Sequence, residues 1–172
     1  MSRIKWTERR FSFDFPAGIY PEITERLRGT PARLEDLLAK LPPDTLVAQT
    51  DGRWSMQENA GHLLDLESLV SQRIDEYVAG NAALHAADMS NRKTYEASHN
   101  EVPVSTILSA FRSARFGIVA RLESLDAAMF ARSALHPRLQ VQMRLVDMMF
   151  FQSEHDDYHL ARISELKKLL RP

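Results

Sequence analysis

Apolar residues recur at spacings of three and four along four stretches of the chain, the pattern of an amphipathic helix with one face in a core. The pattern predicts helices over residues 22–41, 55–79, 104–125 and 144–170. Pro31 falls inside the first stretch, so a break or kink is expected near Gly29 and Thr30. Four amphipathic helices in one short chain predict an all-α fold, a four-helix bundle.

The second predicted helix has the clearest boundary signals. Ser55 and Glu58 form a capping box, in which each side chain satisfies a free backbone N–H of the first turn. Gly80 is placed to end the same helix. The polar segment 81–101 that follows is long for a connection, which suggests a crossover or a functional loop.

The first 21 residues differ from the rest of the chain. Phe11, Phe13 and Phe15 alternate with polar residues, and prolines and glycine follow, a pattern that favours an extended arm over a helix. We expect residues 1–172 to form one domain, since this length can bury a sizeable core, with residues 1–21 as an arm laid over it.

Composition narrows the function classes. The formal net charge is −1 with no basic stripe, which argues against a nucleic-acid partner. Cysteine is absent, which excludes disulfides, thiolate catalysis and sulfur-ligated zinc. The first 15 residues lack the apolar core of a signal peptide and no apolar stretch is long enough to span a bilayer, so we expect a cytoplasmic protein with no membrane partner.

The last predicted helix carries polar residues on its core-facing row. Read in steps of three and four, that row is Leu145, Met148, Gln152, His155, His159, Arg162, Leu166 and Leu169. Burying the polar middle of such a row without partners costs roughly 1–3 kcal/mol per group. His155 and His159 lie one turn apart on one face and can converge on one cation, although two partly buried histidines bonded to Tyr158 or Gln152 would give the same spacing.

His62 is the candidate third ligand, because it lies beside the apolar row of the second helix. Three neutral imidazoles with an open fourth position suit a catalytic zinc ion, and also nickel or iron. Asp65, one turn beyond His62, is either a carboxylate that orients that ring or a solvated surface acid. The remaining histidines have no partner at ligand spacing: we expect His85 and His99 to lie on the surface and His136 to support a turn.

Other metal and nucleophile templates fail on the residues. A di-iron bundle needs two Glu-x-x-His motifs, and the chain has only one, Glu96 before His99. The residues between His155 and His159 do not form a His-Glu-x-x-His motif, and a nucleophile elbow and a phosphate-binding glycine loop are absent.

Several motifs in order resemble the DinB/YfiT-like family over nearly the whole chain. They are Trp-Ser-Met-Gln-Glu at 54–58, Gly-His-Leu-Leu-Asp at 61–65, His136-Pro137 and Glu-His-Asp-Asp-Tyr-His-Leu-Ala-Arg-Ile at 154–163. The segments 15–18 and 30–34 are similar to the YfiT branch. The resemblance implies a four-helix bundle, often a homodimer, that binds nickel, zinc or a similar ion through His62, His155 and His159.

The resemblance also implies a chemistry. Family members of known activity are transferases and isomerases that use thiols such as bacillithiol or mycothiol, and many others have no known activity. The chain departs from the family pattern at 138–142, where relatives usually have a glycine and a short apolar run, and at Tyr158, where they often have another His. Both departures could reshape the substrate pocket.

The leading hypothesis is a metal-dependent enzyme in which the open coordination position binds water or a low-molecular-weight thiol and makes it a nucleophile toward a small electrophile. Arg162 could bind a substrate carboxylate, or could form a structural ion pair with Glu58, Asp65 or Glu67. Tyr158 and Gln152 could be pocket donors or could fill space. The alternatives are a non-catalytic metal-binding bundle and a metal-free interaction module that dimerises through a helix face.

Overall fold

The computed structural model describes residues 3–50 and 52–170, most of them in α-helices. The helices are α1 (Tyr20–Arg28), α2 (Thr30–Leu38), α3 (Pro43–Val47), α4 (Met56–Ala79), α5 (Arg92–Glu96), α6 (Val104–Glu123) and α7 (Leu145–Leu169). The strands β1 (Ser133–His136) and β2 (Val141–Arg144) form one antiparallel hairpin. The all-α fold class is confirmed.

The first predicted helix divides where the proline indicated. Gly29 separates α1 from α2, and Pro31 occupies the first turn of α2, where its missing N–H leaves no hydrogen bond unmade. Gly29 keeps helical dihedrals, with φ −75° and ψ −15°. The two short helices therefore follow one another through a bend and together take one position of the bundle.

The boundaries of α4 follow the capping signals. Ser55 Oγ accepts a hydrogen bond from the Glu58 N–H at 3.0 Å, and Glu58 Oε2 accepts one from the Ser55 N–H at 2.7 Å. Gly80 ends the helix at φ +74°, in the left-handed region that a side chain would strain. The predicted capping box and helix end are both confirmed.

Four helical positions build the bundle. The α1–α2 pair and α4 each pack mainly against α6 and α7. The first two helical positions along the chain are therefore diagonal to each other, and the long connection 81–101 leads from α4 to its neighbour α6. This arrangement places α4 beside α7. A site that combines His62 of α4 with His155 and His159 of α7 requires that these two helices be neighbours.

The long connection is partly helical. It contains α5 and a 3-10 turn, His99–Glu101, and both lie against α4. Thr94 of α5 and His99 are buried there. The connection is thus part of the structure around α4, and the prediction of a plain surface position for His99 is wrong.

The arm is extended, as predicted, apart from two 3-10 turns, Trp6–Glu8 and Ala17–Ile19. Its aromatic side chains pack on the core cluster that includes Phe151 of α7. Arg144 Nη2 donates to the carbonyls of Phe13 and Phe15 at 3.0 and 2.9 Å. These bonds and the aromatic contacts hold the arm across α7.

In the part of the chain that the structure describes, no helix combines the length and the apolar character that a membrane span requires.

Candidate metal centre

Three histidine rings meet inside the bundle. His62 comes from α4, and His155 and His159 come from successive turns of α7. One nitrogen from each ring lies within 4.8 Å of the other two. The side chains are buried, with 4, 8 and 6% of their surface exposed. The three residues selected from the sequence are therefore together in space, close enough to share one ion.

Hydrogen bonds fix which nitrogens remain for that ion. His159 Nδ1 lies 2.8 Å from Asn59 Oδ1, and an amide oxygen can only accept, so Nδ1 carries the proton. The amide is oriented because Asn59 Nδ2 donates to the carbonyls of Trp54 and Ser55. The lone pair of His159 is consequently on Nε2.

His62 is held in a similar way. Its Nδ1 lies 2.9 Å from Thr94 Oγ1 on α5, which leaves Nε2 for a ligand. A ring that hydrogen-bonds through one nitrogen and ligates through the other is the usual form of a metal-binding histidine. The hydrogen bond that one of the two sequence alternatives assigned to Asp65 is thus made by Thr94.

His155 has an unsatisfied nitrogen. Its Nδ1 is buried and has no hydrogen-bond partner among the described residues. Leaving a buried polar atom unpaired costs about 1–3 kcal/mol, so native structures rarely do so without a reason. A donor set of two imidazoles with free Nε2 atoms and a third with an unpaired nitrogen fits a divalent metal ion such as zinc or nickel.

Electrostatics keeps all three rings neutral. Burial, and then the neighbouring His155, lower the pKa of His62 to about 3. Burial, with Arg115 and Arg138 nearby, lowers the pKa of His155 to about 3. The pKa of His159 is also well below its ordinary value, chiefly through burial. Neutral imidazoles need no deprotonation before they bind a metal.

Two tryptophans enclose the cluster. The Trp54 ring centroid lies 4.7 Å from that of His62, and the Trp6 ring of the arm meets His155 edge-on at 5.0 Å. Trp54 Nε1 is buried without a partner in the described chain. An indole N–H is only a donor, so this group is available to a ligand held in the centre.

Asp65 belongs to a neighbouring contact. Its Oδ2 lies 2.8 Å from His99 Nε2, and both side chains are buried. The His99 ring packs on Gly61, where an added Cβ would lie only 2.3 Å from the ring. Neither sequence alternative for Asp65 is correct: it neither orients His62 nor lies in solvent.

The other three candidates lie around the centre. Gln152 is buried and donates to Asp156 Oδ1 at 3.1 Å, so it belongs to a hydrogen-bond network. The Tyr158 ring is 5.4 Å from that of His159 and lies under the Arg3 guanidinium at 3.9 Å. Arg162 pairs with Glu165 at 3.5 Å, so none of the three expected acidic partners holds it.

Sequence reasoning missed a buried ion cluster beside the histidines. The Arg115 guanidinium is fully buried between Glu67 and Asp156, with Arg115 Nη2 2.7 Å from Glu67 Oε1. Thr30 Oγ1 donates to Asp156 at 2.9 Å. An arginine at a helical core spacing was the available signal, since such a side chain must find carboxylates.

Solved structures share this architecture. YfiT from Bacillus subtilis, described as a probable metal-dependent hydrolase with an unusual four-helix bundle topology, superimposes with a TM-score of 0.81 at 19% identity, over 94% of this chain and 93% of that one. A protein from Streptococcus pneumoniae gives 0.70 at 10% identity, over 95% and 94%. These likenesses show the fold, and among curated proteins none matches the chain.

A third similar structure is the mycothiol-dependent maleylpyruvate isomerase. It gives a TM-score of 0.68 at 9% identity, over 87% of this chain, which spans 61% of the isomerase. The enzyme is thus a larger protein that contains a similar bundle.

The fold and the three histidines define a class of helical bundles with a candidate metal site in the core. The model of the DinB superfamily matches residues 26–163. The chain belongs to the DinB superfamily, as the sequence motifs indicated.

Proposed function

We propose that this protein is a metal-dependent enzyme that holds one divalent ion through His62, His155 and His159. Such an ion would supply the activation of a water molecule or a low-molecular-weight thiol for attack on a small electrophilic substrate. The observation that carries the proposal is the convergence of three buried, neutral imidazoles, of which His155 has a nitrogen with no protein partner. Zinc, nickel and iron all suit three imidazole ligands.

The three-ligand set favours chemistry over a structural role. Structural zinc sites in proteins usually have four protein ligands, whereas catalytic sites keep a position for water or substrate. The group of ligating side chains found in the described residues contains three histidines and no carboxylate. A divalent ion there would keep its full charge, which favours an anionic ligand such as hydroxide or thiolate.

The protein's own residues would prepare the site. Thr94 and Asn59 orient two of the rings through their Nδ1 atoms. Trp6 and Trp54 exclude bulk water, which strengthens electrostatic interactions inside the centre. Trp54 Nε1–H is a donor that could hold a substrate oxygen or sulfur. A bound ion would supply Lewis acidity and lower the pKa of its water or thiol ligand.

Metal analysis of protein purified without a histidine tag tests the ligand set. We expect about one equivalent of zinc, nickel or iron per chain in the wild type, and its loss in His62→Ala and His155→Ala. His85→Ala is the matched control, because His85 is exposed and lies outside the cluster. Equal metal content in all variants would overturn the proposal.

Activity assays then separate an enzyme from a metal-stapled bundle. The loaded protein would be incubated with electrophiles in the presence and absence of bacillithiol, mycothiol or glutathione. Thiol-dependent consumption that disappears in His155→Ala supports transfer, and thiol-independent hydrolysis supports activation of water. A metal-loaded protein inactive with every pair would favour the non-catalytic alternative.

The remaining expectations follow from the sequence. We propose a cytoplasmic homodimer whose partner molecules are small substrates, without nucleic acid or membrane. Sedimentation at several protein concentrations tests the dimer directly.

A further inference from the structure

Arg138 has no ion-pair partner among the residues that the structure describes. It follows Pro137 in the turn between β1 and β2, and its guanidinium carbon lies 5.5 Å from the Phe151 ring centroid and 5.9 Å from that of Trp6. Its Nη2 is buried, and no acceptor lies within hydrogen-bond distance in residues 3–50 and 52–170. A guanidinium nitrogen buried without an acceptor costs free energy, so this edge of the half-buried Arg138 is available to a ligand.

His136 supplies a second unpaired donor in the same place. Its Nδ1 accepts a hydrogen bond from the Leu139 N–H at 3.2 Å, so a neutral ring carries its proton on Nε2. That Nε2 is buried and also has no partner within the described ranges. The ring stands edge-on to Phe151 with centroids 5.3 Å apart, so His136 and Arg138 share one aromatic wall.

A second cation, Arg73, adds to the positive charge of Arg138. Arg73 is buried and donates to the carbonyl of His85 at 2.8 Å and to Met148 Sδ at 3.6 Å. No ion pair holds it in the part of the chain described. Burial lowers the pKa of Arg73, and the charge of Arg138 lowers it further, which places the two guanidinium groups in each other's field. Tyr77 and then Glu76 raise the pKa of Arg73, and each has a larger influence on it than Arg138 has.

These donors lie on the His155 side of the metal centre. The Trp6 ring lies against His155 and against Arg138. Its centroid is 5.0 Å from that of His155 and 5.9 Å from the Arg138 guanidinium carbon. The charge of Arg138 also contributes to the lowered pKa of His155. A ligand between Arg138 and His136 would therefore lie near His155, with the Trp6 ring in contact with both Arg138 and His155.

We propose that Arg138 Nη2 and His136 Nε2 bind a carboxylate group of the substrate, with Trp6 and Phe151 as the walls of the subsite. The assignment rests on the proposed function, because it places this carboxylate next to the metal-activated nucleophile. Two unpaired donors match the two oxygens of a carboxylate. The role that the sequence suggested for Arg162 thus passes to Arg138.

The test uses zinc-loaded protein and the probes acetate, propionate and 3-phenylpropionate, each compared with its uncharged amide by isothermal titration calorimetry. We expect at least one acid to bind and its amide to bind tenfold or more weakly. Arg138→Gln should weaken the acid at least tenfold while zinc content stays at one equivalent. Arg10→Gln removes the same charge at an exposed position and should leave the affinity unchanged.

Two further measurements separate the subsite from the metal. In zinc-free protein the acid should still bind more weakly to Arg138→Gln than to the wild type, because the donors belong to the protein. Arg138→Lys keeps the charge but loses the planar fork, so an intermediate affinity is expected. Circular dichroism melts of each variant establish that it is folded.

The outcomes are distinct. Zinc-loaded protein that binds none of the three acids, or loses affinity equally in Arg10→Gln, overturns the subsite and leaves the metal centre standing. Inorganic phosphate that binds more tightly than every acid overturns the assignment to a carboxylate. Failure of the wild type to hold any metal defeats the proposed function itself, and is seen separately in the metal analysis.

Discussion

Two buried polar clusters lie side by side on α7, and they are built in opposite ways. Asp156 faces Arg115 and Glu67 in a network whose charges and hydrogen bonds are satisfied within the protein. His155, the preceding residue, faces His62 and His159 in a cluster that keeps unpaired nitrogens. One turn of helix therefore carries both a closed network and an open one.

The difference separates structure from chemistry. A network whose members satisfy one another needs no ligand. Removing one member leaves the remaining charges buried without a partner. A cluster with unpaired donors or lone pairs is incomplete until something binds. Burial alone would not have told these two clusters apart, since the residues of both are almost fully enclosed.

The sharpest way to break the comparison is Arg115→Met. It would leave Glu67 and Asp156 buried without a cation, so we expect the free energy of unfolding of the metal-free protein to fall by about 3–5 kcal/mol. Urea denaturation measures the change. Arg112→Met, which breaks the half-exposed pair with Glu35, should cost less than about 1 kcal/mol. An equal fall in the free energy of unfolding in the two variants would show that the buried network stabilises the fold no more than a half-exposed ion pair does.

Removal of the metal should have the next largest effect, and on the open cluster alone. An ion bound only by the folded state adds about 2.7 kcal/mol when its free concentration is a hundred times the dissociation constant. We expect the melting temperature of the wild type to rise when zinc is restored after chelation. His155→Ala should not respond, and a response equal to that of the wild type would contradict the ligand assignment.

Thr94→Val removes the hydroxyl that orients His62 and nearly keeps the side-chain volume. Loss of such an outer partner typically weakens metal affinity by about 10–100-fold, which is about 1.4–2.7 kcal/mol. Competition with a chromophoric chelator measures the affinity. Thr106→Val, an exposed position on α6, is the control. Unchanged affinity in Thr94→Val would mean that the rings need no outer support.

The last prediction concerns the pH dependence of stability. The pKa values of His62 and His155 are about 3 in the folded protein, against about 6.5 in an unfolded chain. As pH falls from 6.5 toward 3, these two histidines bind protons in the unfolded state but not in the native state. The metal-free protein should therefore lose about 1.4 kcal/mol per pH unit for each such histidine, with no contribution from them above pH 6.5.

Urea denaturation between pH 4.5 and 7 measures this slope. His155→Phe has one fewer titrating group, and its slope should be shallower by about 1.4 kcal/mol per pH unit. Identical slopes for the two proteins would mean that His155 is not kept neutral by the fold.

The sequence predicted the open cluster better than the closed one. His155 and His159 interrupt an apolar row at a spacing of four, so they could be recognised on α7 alone. His62 was selected by its place beside the apolar row of α4, and the family motif agreed. The core spacing of Arg115 was a weaker signal, because its carboxylates come from two other helices and only the packing brings the three together. Periodicity reports which face of a helix is buried, and does not report what faces it.

The connections show the same limit. The hairpin of β1 and β2 was not predicted, since four-residue strands leave too short an alternation to read. Thr94 and His99 lie in a polar segment with no periodicity, and their burial depends on how that segment crosses α4. The four main helices were predictable because each carries its own repeating pattern and end signals.

Gly61 lets the long connection 81–101 pack closely against α4. Because residue 61 has no side chain, the His99 ring can rest directly on the helix backbone and reach Asp65. The same connection places Thr94 against His62, which lies about one turn before Asp65 on α4. A methyl group at position 61 would push the His99 ring and its segment away from the helix. The position of Thr94, and through it the orientation of His62, therefore depends on residue 61 having no side chain.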